Sequence, residues 1–160
     1  MNRNLNIGWK ILRIGGWVPL LVFTTHLFLS RVVHAYDFWP PTDIPMHFCG
    51  GVAIAYFISR CFQLLPREAA TIKRSRIVLL ELLLIGSLTA TTAVFWEFAE
   101  FTLDQVFGSN VQVSLANTMQ DLMMGISGAI LWVFIRSRQL RTGFGAVREI
   151  TSDWIYGQVG

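Results

Sequence analysis

The 160-residue sequence has few charged residues, and this shortage narrows what the protein can be. Charged side chains make up 14% of the chain, whereas 53% of its residues are hydrophobic. A soluble globular domain carries about 25% charged residues, so this composition is not that of a water-soluble domain. The net charge is +3, but the chain has no basic run with interleaved aromatic residues. This argues against nucleic acid as a partner.

Cysteine is also scarce, and the two present, Cys49 and Cys61, predict neither a disulfide nor a metal site. On one helix they would lie roughly 18 Å apart along the axis, far beyond the ~7 Å limit on the Cα separation of a disulfide. We interpret both as small apolar fillers. The sequence also lacks internal repeats, a Gly-rich phosphate loop, H-E-x-x-H and the paired E-x-x-H motifs of di-iron bundles.

Four hydrophobic stretches are long enough to cross a bilayer, which requires about 20 mostly apolar residues. They run from about 14 to 30, 44 to 65, 77 to 103 and 115 to 135. Pro19 is expected either to kink the first helix or to lie in its first turn. The sequence therefore predicts an all-α polytopic membrane protein, with four transmembrane helices in residues 1–135 and a polar cytoplasmic tail in residues 136–160.

The tryptophans and the basic residues give the expected placement in the membrane. Five tryptophans fall near predicted helix ends, as interfacial belts require: Trp9, Trp17, Trp39, Trp96 and Trp132. Twelve of the thirteen basic residues lie before the first span, around the second connection or after the fourth span, and only Arg31 lies on the other side. The positive-inside rule then predicts that both termini are cytoplasmic.

Acidic and histidine side chains gather near the predicted outer ends of the spans. In "FWEFAEFTLD" the carboxylates Glu97, Glu100 and Asp104 share one face of the third helix, because they are three and four residues apart. The second helix begins with Asp43 and His47 one turn apart, followed by Gly51. The fourth begins with Asn117 and Asp121 one turn apart, above Gly125, Gly128 and Ala129, and His26 lies in the outer third of the first helix. Ionisable groups inside spans usually face the bundle interior or water, so a polar chamber at one depth is expected.

Several of these residues have simpler explanations. Asp43 precedes Pro45 and suits a helix N-cap, and Asp104 suits a solvated helix end. A lone histidine such as His26 on an apolar helix is more often packed and hydrogen-bonded than a ligand, and Asn117 is either a cap or an interhelical hydrogen-bond partner. Glu81, near the cytoplasmic end of the third helix, is expected to reach the basic residues there.

The residues that remain are His47, Glu97, Glu100 and Asp121. One imidazole and three carboxylates suit a divalent ion such as Zn, Mn or Mg. We expect His47, Glu97 and Asp121 to bind the ion and Glu100 to act as general base on a water that the ion activates. Other interpretations stay open: the acids share protons or hold water, or the cluster is structural, in a non-enzymatic accessory protein. Ion or proton movement is less favoured, since Glu81 stands alone in the cytoplasmic half.

Three short motifs carry a family resemblance. They are D-x-x-x-H-F-x-x-G from Asp43, W-E-F-x-E from Trp96, and N-T-M-Q-D-L from Asn117 with the later Gly128-Ala129. Together they resemble small bacterial inner-membrane proteins of the YjdF type and, more loosely, VanZ-like proteins. Asn117 departs from the pattern, in which an acidic residue is usual at that position.

This resemblance implies a multi-span protein of the bacterial inner membrane, with VanZ-like members associated with glycopeptide (teicoplanin) resistance. The expected partners are the lipid bilayer and either a lipid-linked envelope substrate or another membrane protein.

Overall fold

The computed structural model describes residues 7–63 and 74–141, whose regular structure is helical. Four helical segments are long and apolar enough to cross a membrane, which confirms the predicted all-α architecture. The helices are α1 (Ile7–Ile11), α2 (Trp17–Phe28), α3 (Ala35–Phe38), α4 (Asp43–Gln63), α5 (Arg74–Phe107) and α6 (Leu115–Arg141). Single π-helical turns, Leu12–Gly16 and Leu29–Val33, flank α2, and a 3-10 turn, Pro40–Thr42, precedes α4.

The first span bends at Gly15, which has a positive φ of 137°. A Cβ atom there would lie 2.8 Å from the ring of Tyr56 on α4, so glycine satisfies both the backbone conformation and the close approach. The Ile14 carbonyl accepts a hydrogen bond from Arg60 Nε at 3.1 Å. Pro19 lies in the first turn of α2, as one of the two sequence interpretations predicts, because a missing N–H is tolerated there.

Helices α5 and α6 extend beyond the hydrophobic stretches that predict them. The 34-residue α5 begins before Ile77 and continues past Leu103, and α6 continues to Arg141 rather than ending near Ile135. Arg136 explains the added turn of α6, since its guanidinium donates to Glu81 of α5 at 2.7 and 3.0 Å in a buried pair. This confirms the expected partnership of Glu81 with a basic residue. The tail beyond Arg141 lies outside the described residues, as do four of the basic residues counted in the topology prediction, at positions 3, 67, 73 and 148.

The centre of the bundle is a close crossing of α4 and α6, the pair of helices with the most extensive contact. A Cβ atom added at Gly51 would overlap the Gly125 carbonyl, and one added at Gly128 would overlap the Phe48 carbonyl. Small residues allow such approach in membranes, where association depends on packing and hydrogen bonds. The buried core beneath the crossing consists of Ala55, Ile85 and Ala129.

The alternating helix directions give the bundle two chemically different ends. Helix α4 runs from Asp43 to Arg60, α5 runs back from Arg76 to Glu100, and α6 returns from Asp121 to Arg136. We call the end with Asp43, Glu100 and Asp121 the cluster end, and the end with Arg60, Arg76 and Arg136 the arginine end. Between them the outer face exposes large apolar side chains, as a lipid-facing surface requires: Leu79, Leu83, Phe95, Phe98, Met123 and Ile130.

Two sequence interpretations about single residues are wrong. Trp96 and Trp132 are half-buried and donate into the bundle, to Glu100 and to the Ser59 hydroxyl, because a buried indole N–H requires an acceptor. They are not belt residues, whereas Trp9, Trp17 and Trp39 are exposed as predicted. Cys49 is exposed and fills no gap, although both cysteines are free as expected.

Candidate metal site at the cluster end of the bundle

His47 is the centre of the polar cluster and contacts carboxylates from three helices. Its Nε2 atom lies 3.3 Å from Asp43 Oδ1, one turn earlier on α4, and 3.9 Å from Asp121 Oδ1 on α6. Its Nδ1 atom lies 3.8 Å from Glu97 Oε1 on α5. The predicted convergence of separate helices on one chamber is therefore present.

Two carboxylate oxygens beside this imidazole have no hydrogen-bond partner among the described residues. They are Glu97 Oε1 and Asp121 Oδ1, the same two atoms that lie nearest His47 from α5 and α6. Only 4% of Glu97 and 3% of Asp121 is exposed. A buried polar atom without a partner is costly, so a proton, a water molecule or an ion must satisfy these oxygens.

The other oxygen of each of these carboxylates is held by a side-chain amide. Asn117 Nδ2 donates to Asp121 Oδ2 at 2.5 Å and to Asp43 Oδ2 at 3.4 Å. Gln112 Nε2 donates to the Glu97 carbonyl at 3.1 Å and to Glu97 Oε2 at 3.4 Å. Each amide thus holds one carboxylate oxygen, which we call the outer oxygen, and leaves the other, the inner oxygen, directed at His47. The hydrogen-bond partners of metal ligands orient those ligands in the same way.

Asn117 thus has a role that accounts for its departure from the acidic residue usual in the resembled family. A carboxylate at this position would lie against Asp43 and Asp121 without a proton to donate, whereas the amide donates to both. Of the two sequence interpretations of Asn117, the interhelical hydrogen bond is confirmed.

Gln112 belongs to the site although the sequence analysis missed it. It lies in the connection between α5 and α6, and Asp104 orders that connection by accepting hydrogen bonds from Ser109 Oγ, Val111 N and Gln112 N at 2.6–2.8 Å. Asp104 therefore lies outside the ligand cluster, as its helix-end interpretation predicts. Its effect on the cluster is indirect, through the placement of Gln112 beside Glu97.

Glu100 is held by an aromatic and phenolic network on the α2 side. Trp96 Nε1 donates to Glu100 Oε1 at 2.7 Å, and the His26 ring packs edge-on against the Trp96 ring at 5.6 Å between centroids. His26 Nδ1 lies 2.8 Å from the Tyr36 hydroxyl, and burial raises the pKa of Tyr36 above its ordinary value. His26 is thus a packed, hydrogen-bonded histidine, and it supports the site from behind Trp96.

The candidate ligand atoms form two groups of three that share His47. The groups are Asp43, His47 and Asp121, and His47, Glu97 and Glu100, and within each group the atoms lie within 4.8 Å of one another. Zn–N and Zn–O bonds of about 2.0–2.2 Å place two ligand atoms on opposite sides of an ion just over 4 Å apart. A modest side-chain movement would therefore bring the three atoms of either group to bonding distance of one ion.

All four residues singled out from the sequence meet here, and Asp43, interpreted as a cap, is a fifth ligand candidate. Its carboxylate contacts His47 and Asn117.

The charge balance of the cluster also favours a cation. Four carboxylates surround one imidazole, and within residues 7–63 and 74–141 no arginine or lysine forms an ion pair with any of them. Charges this close inside a bundle repel strongly because screening is weak. Either protons or a divalent ion must relieve that repulsion.

Comparison with known proteins gives the family. Residues 9–142, which include every residue of the cluster, match the family described as "Predicted membrane protein (DUF2238)". The chain belongs to this family. It is also 28% identical over 145 residues to a Thermotoga maritima protein described as "Uncharacterized protein", with 76% of this chain and 71% of that protein covered. No solved structure matches the chain. For this DUF2238 member, the match supports residence in a membrane, and the site geometry carries the argument about chemistry.

Proposed function

We propose that the protein is a metal-dependent membrane enzyme whose divalent ion is held at the cluster end of the bundle. The observation that carries this proposal is the pair of buried, unpartnered oxygens, Glu97 Oε1 and Asp121 Oδ1, on either side of His47. Zn, Mn and Mg remain the candidate ions, because the donor set combines one imidazole nitrogen with carboxylate oxygens.

Each residue of the cluster has a distinct task in this proposal. His47, Glu97 and Asp121 hold the ion in this proposal, with Asp43 as a further ligand in the group that includes Asp121. Because Asp43 and Asp121 face Nε2 of His47 whereas Glu97 faces Nδ1, side chains of the cluster must rotate for all of these ligands to reach one ion. A bound ion of this kind supplies Lewis acidity and lowers the pKa of a water molecule. Glu100 is the general base, since it lies in the second group beside His47 and the Trp96 indole holds one of its oxygens in place.

The proposed substrate is a lipid or a lipid-linked envelope molecule, and the proposed location is the bacterial inner membrane. The basic residues at the arginine end support cytoplasmic termini under the positive-inside rule, which would direct the cluster outward. The likeness of the three motifs to YjdF-type and VanZ-like proteins supports a role at the cell envelope.

Metal analysis of the detergent-purified protein tests the proposal. We expect about one tightly bound divalent ion per chain, and a loss of thermal stability on chelation, because an ion present at 100 times its Kd stabilises the fold by about 2.7 kcal/mol. Glu97→Gln and Asp121→Asn should each abolish tight binding. Asp37→Asn, which removes an exposed carboxylate near the same end, is the matched control and should bind like the wild type.

A non-enzymatic accessory protein is the alternative, and the Asn117 hydrogen bonds that join α4 to α6 favour it. In that case the cluster only locks helices together, with interhelical polar contacts worth about 0.6 kcal/mol each on average. Asp121→Asn would then lower the unfolding temperature, while a chelator would leave it unchanged and the purified protein would contain no stoichiometric metal.

A further inference from the structure

A cavity of about 150 Å³ lies directly beside the cluster, in the cleft between α2 and α5, with α4 as its floor. Its lining includes Phe23, Met46, Gly50, Ile54 and Trp96, and His47 stands at the end nearest the carboxylates. Helix α2 packs chiefly along α4, whereas α5 packs on α4 and α6. The cleft therefore lies between the first span and the third, which touch at the level of Trp96 through the rings of Phe23 and His26.

The interior of this cavity is apolar except at its histidines. The hydroxyls of Thr89 and Thr92 donate to the carbonyls of Ile85 and Leu88 on their own helix, so they offer no free donor to an occupant. Water needs two to four polar partners to occupy a site, and this lining supplies few. The cavity therefore favours hydrocarbon over water.

The cleft opens toward the surface that faces lipid. Phe23 and Thr92 line the cavity and are also exposed, so the cavity is not closed off by protein at these residues. Both lie within membrane-spanning segments, Trp9–Val33 and Ser75–Phe107, where the surrounding medium is acyl chain. An occupant can therefore enter from the bilayer without crossing water.

The direction of the cavity matches that of a phospholipid. It extends from His47, near the end of the bundle, past Gly51 to Ile54 and Gly125, which lie deeper along their helices. In a bilayer the polar headgroup lies at the surface and the acyl chain points toward the midplane. A phospholipid whose acyl chain lay in this cavity would have its ester and headgroup at the level of the cluster.

We infer that the cavity binds part of one acyl chain of a membrane phospholipid and so positions that lipid for the cluster. The inference rests on the proposed function only in making the lipid the substrate; the binding itself requires no metal. An apolar cavity of this volume accepts an occupant about the size of benzene, which corresponds to a chain segment of about six carbons.

Gly50 controls the space for that chain. A Cβ atom added at Gly50 meets nothing within 4 Å, whereas one added at the neighbouring Gly51 collides with α6. A leucine at position 50 therefore fills the cavity without forcing two helices apart. It occupies the volume that a lipid chain requires and leaves the ligands of the cluster in place.

The test uses the full chain in vesicles of phosphatidylethanolamine and phosphatidylglycerol. A trace of phosphatidylglycerol carries a photoactivatable diazirine midway along one acyl chain, and the cross-linked residues are mapped by mass spectrometry. We expect labels on the cavity residues Met46 and Ile54, in addition to outer-face residues such as Leu83 that any surrounding lipid reaches. Labels confined to the outer face would overturn the inference, and this wild-type map decides the matter even if a variant does not fold.

Gly50→Leu should lose the cavity labels and retain the outer-face labels, with an unfolding temperature close to that of the wild type. Ser87→Leu, which adds a leucine on the exposed face of α5, is the control and should keep both sets. A folded Gly50→Leu variant with unchanged cavity labels would contradict the inference.

Comparing the map with the metal content of the untreated wild type separates this inference from the proposed function, and the cavity labels should persist after chelation and in Asp121→Asn. Cavity labels in an untreated wild-type protein that purifies without stoichiometric metal would support the lipid site and refute the enzyme proposal. Bound metal without cavity labels would overturn the lipid site and leave the metal site of the enzyme proposal supported.

Discussion

Adding one methyl group at Gly51 is expected to destabilise the bundle, whereas the same change at Gly50 is expected to stabilise it. At Gly51 the new Cβ atom would overlap the Gly125 backbone, which cannot move aside as the end of a flexible side chain can. Overpacking of this kind costs about 1–3 kcal/mol, and it exceeds the gain of about 0.5–1 kcal/mol that alanine brings over glycine inside a helix. At Gly50 the space is open, so only the gain remains.

The same perturbation should reach the candidate metal site. His47 precedes Gly51 by one turn of α4, and Asp121 precedes Gly125 by one turn of α6. Separating the helices at the glycines therefore lengthens the 3.9 Å approach of His47 Nε2 to Asp121 Oδ1. We expect metal affinity to fall by about 10–100-fold in Gly51→Ala, as when outer-shell support is lost, with no fall in Gly50→Ala.

Thermal unfolding in detergent measures the first effect, and titration of the metal-free protein measures the second. Both variants must be compared in one detergent at one protein concentration, because membrane-protein stability depends on both. Equal unfolding temperatures for Gly51→Ala and Gly50→Ala would refute the close crossing of α4 and α6. A destabilised Gly51→Ala that binds metal like the wild type would instead show that the crossing does not position the ligands.

Three further predictions concern the ends of the bundle. Glu81→Met should destabilise the protein by about 3–5 kcal/mol, because it leaves the buried Arg136 without its carboxylate, and adding Arg136→Leu should restore most of the loss; additive effects in a thermal-unfolding cycle would contradict this. Because burial raises the folded-state pKa of Tyr36, the unfolded chain loses its phenolic proton first, so stability should fall as the pH rises above about 10, less steeply in Tyr36→Phe. In a chain whose native cysteines are replaced, Asn110→Cys should react with an impermeant maleimide on spheroplasts and Gly160→Cys only after lysis; the reverse pattern would place the cluster inside.

The depth of each residue in the membrane could be predicted from the sequence, because it depends only on the length of the hydrophobic run and on the rise per residue of a helix. A run of apolar residues fixes where a span begins and ends, and alternating directions then bring the start of α4, the end of α5 and the start of α6 to one level. This is why His47, Glu97, Glu100 and Asp121 could be named together. Their spacing within each helix also gave the shared face.

The orientation of each side chain could not be predicted, because it depends on how the helices rotate against one another. Asp43 sits at a helix start, where capping explains an acid equally well, and only the packing of α4 on α6 turns it to His47 and Asn117. Trp96 sits at a depth typical of a belt residue, yet its indole turns inward to Glu100. Gln112 lies in a connection with no periodic signal, and its position depends on hydrogen bonds to Asp104.

The arrangement of α4 and α6 explains how one short stretch of each helix both builds the site and fixes its geometry. Residues spaced by four face each other in three successive pairs: Asp43 with Asn117, His47 with Asp121, and Gly51 with Gly125. The glycine pair sets the distance between the helices, so the polar pairs one and two turns above it have little freedom to separate. If the helices were joined only for stability, every carboxylate oxygen at such a crossing would be expected to accept a hydrogen bond. Here the Asn117 amide donates to Asp121 Oδ2, whereas Asp121 Oδ1 faces His47 and has no donor among the described residues. Such an oxygen can accept a proton, a water molecule or a cation, and its availability supports the proposed metal site over a purely structural lock.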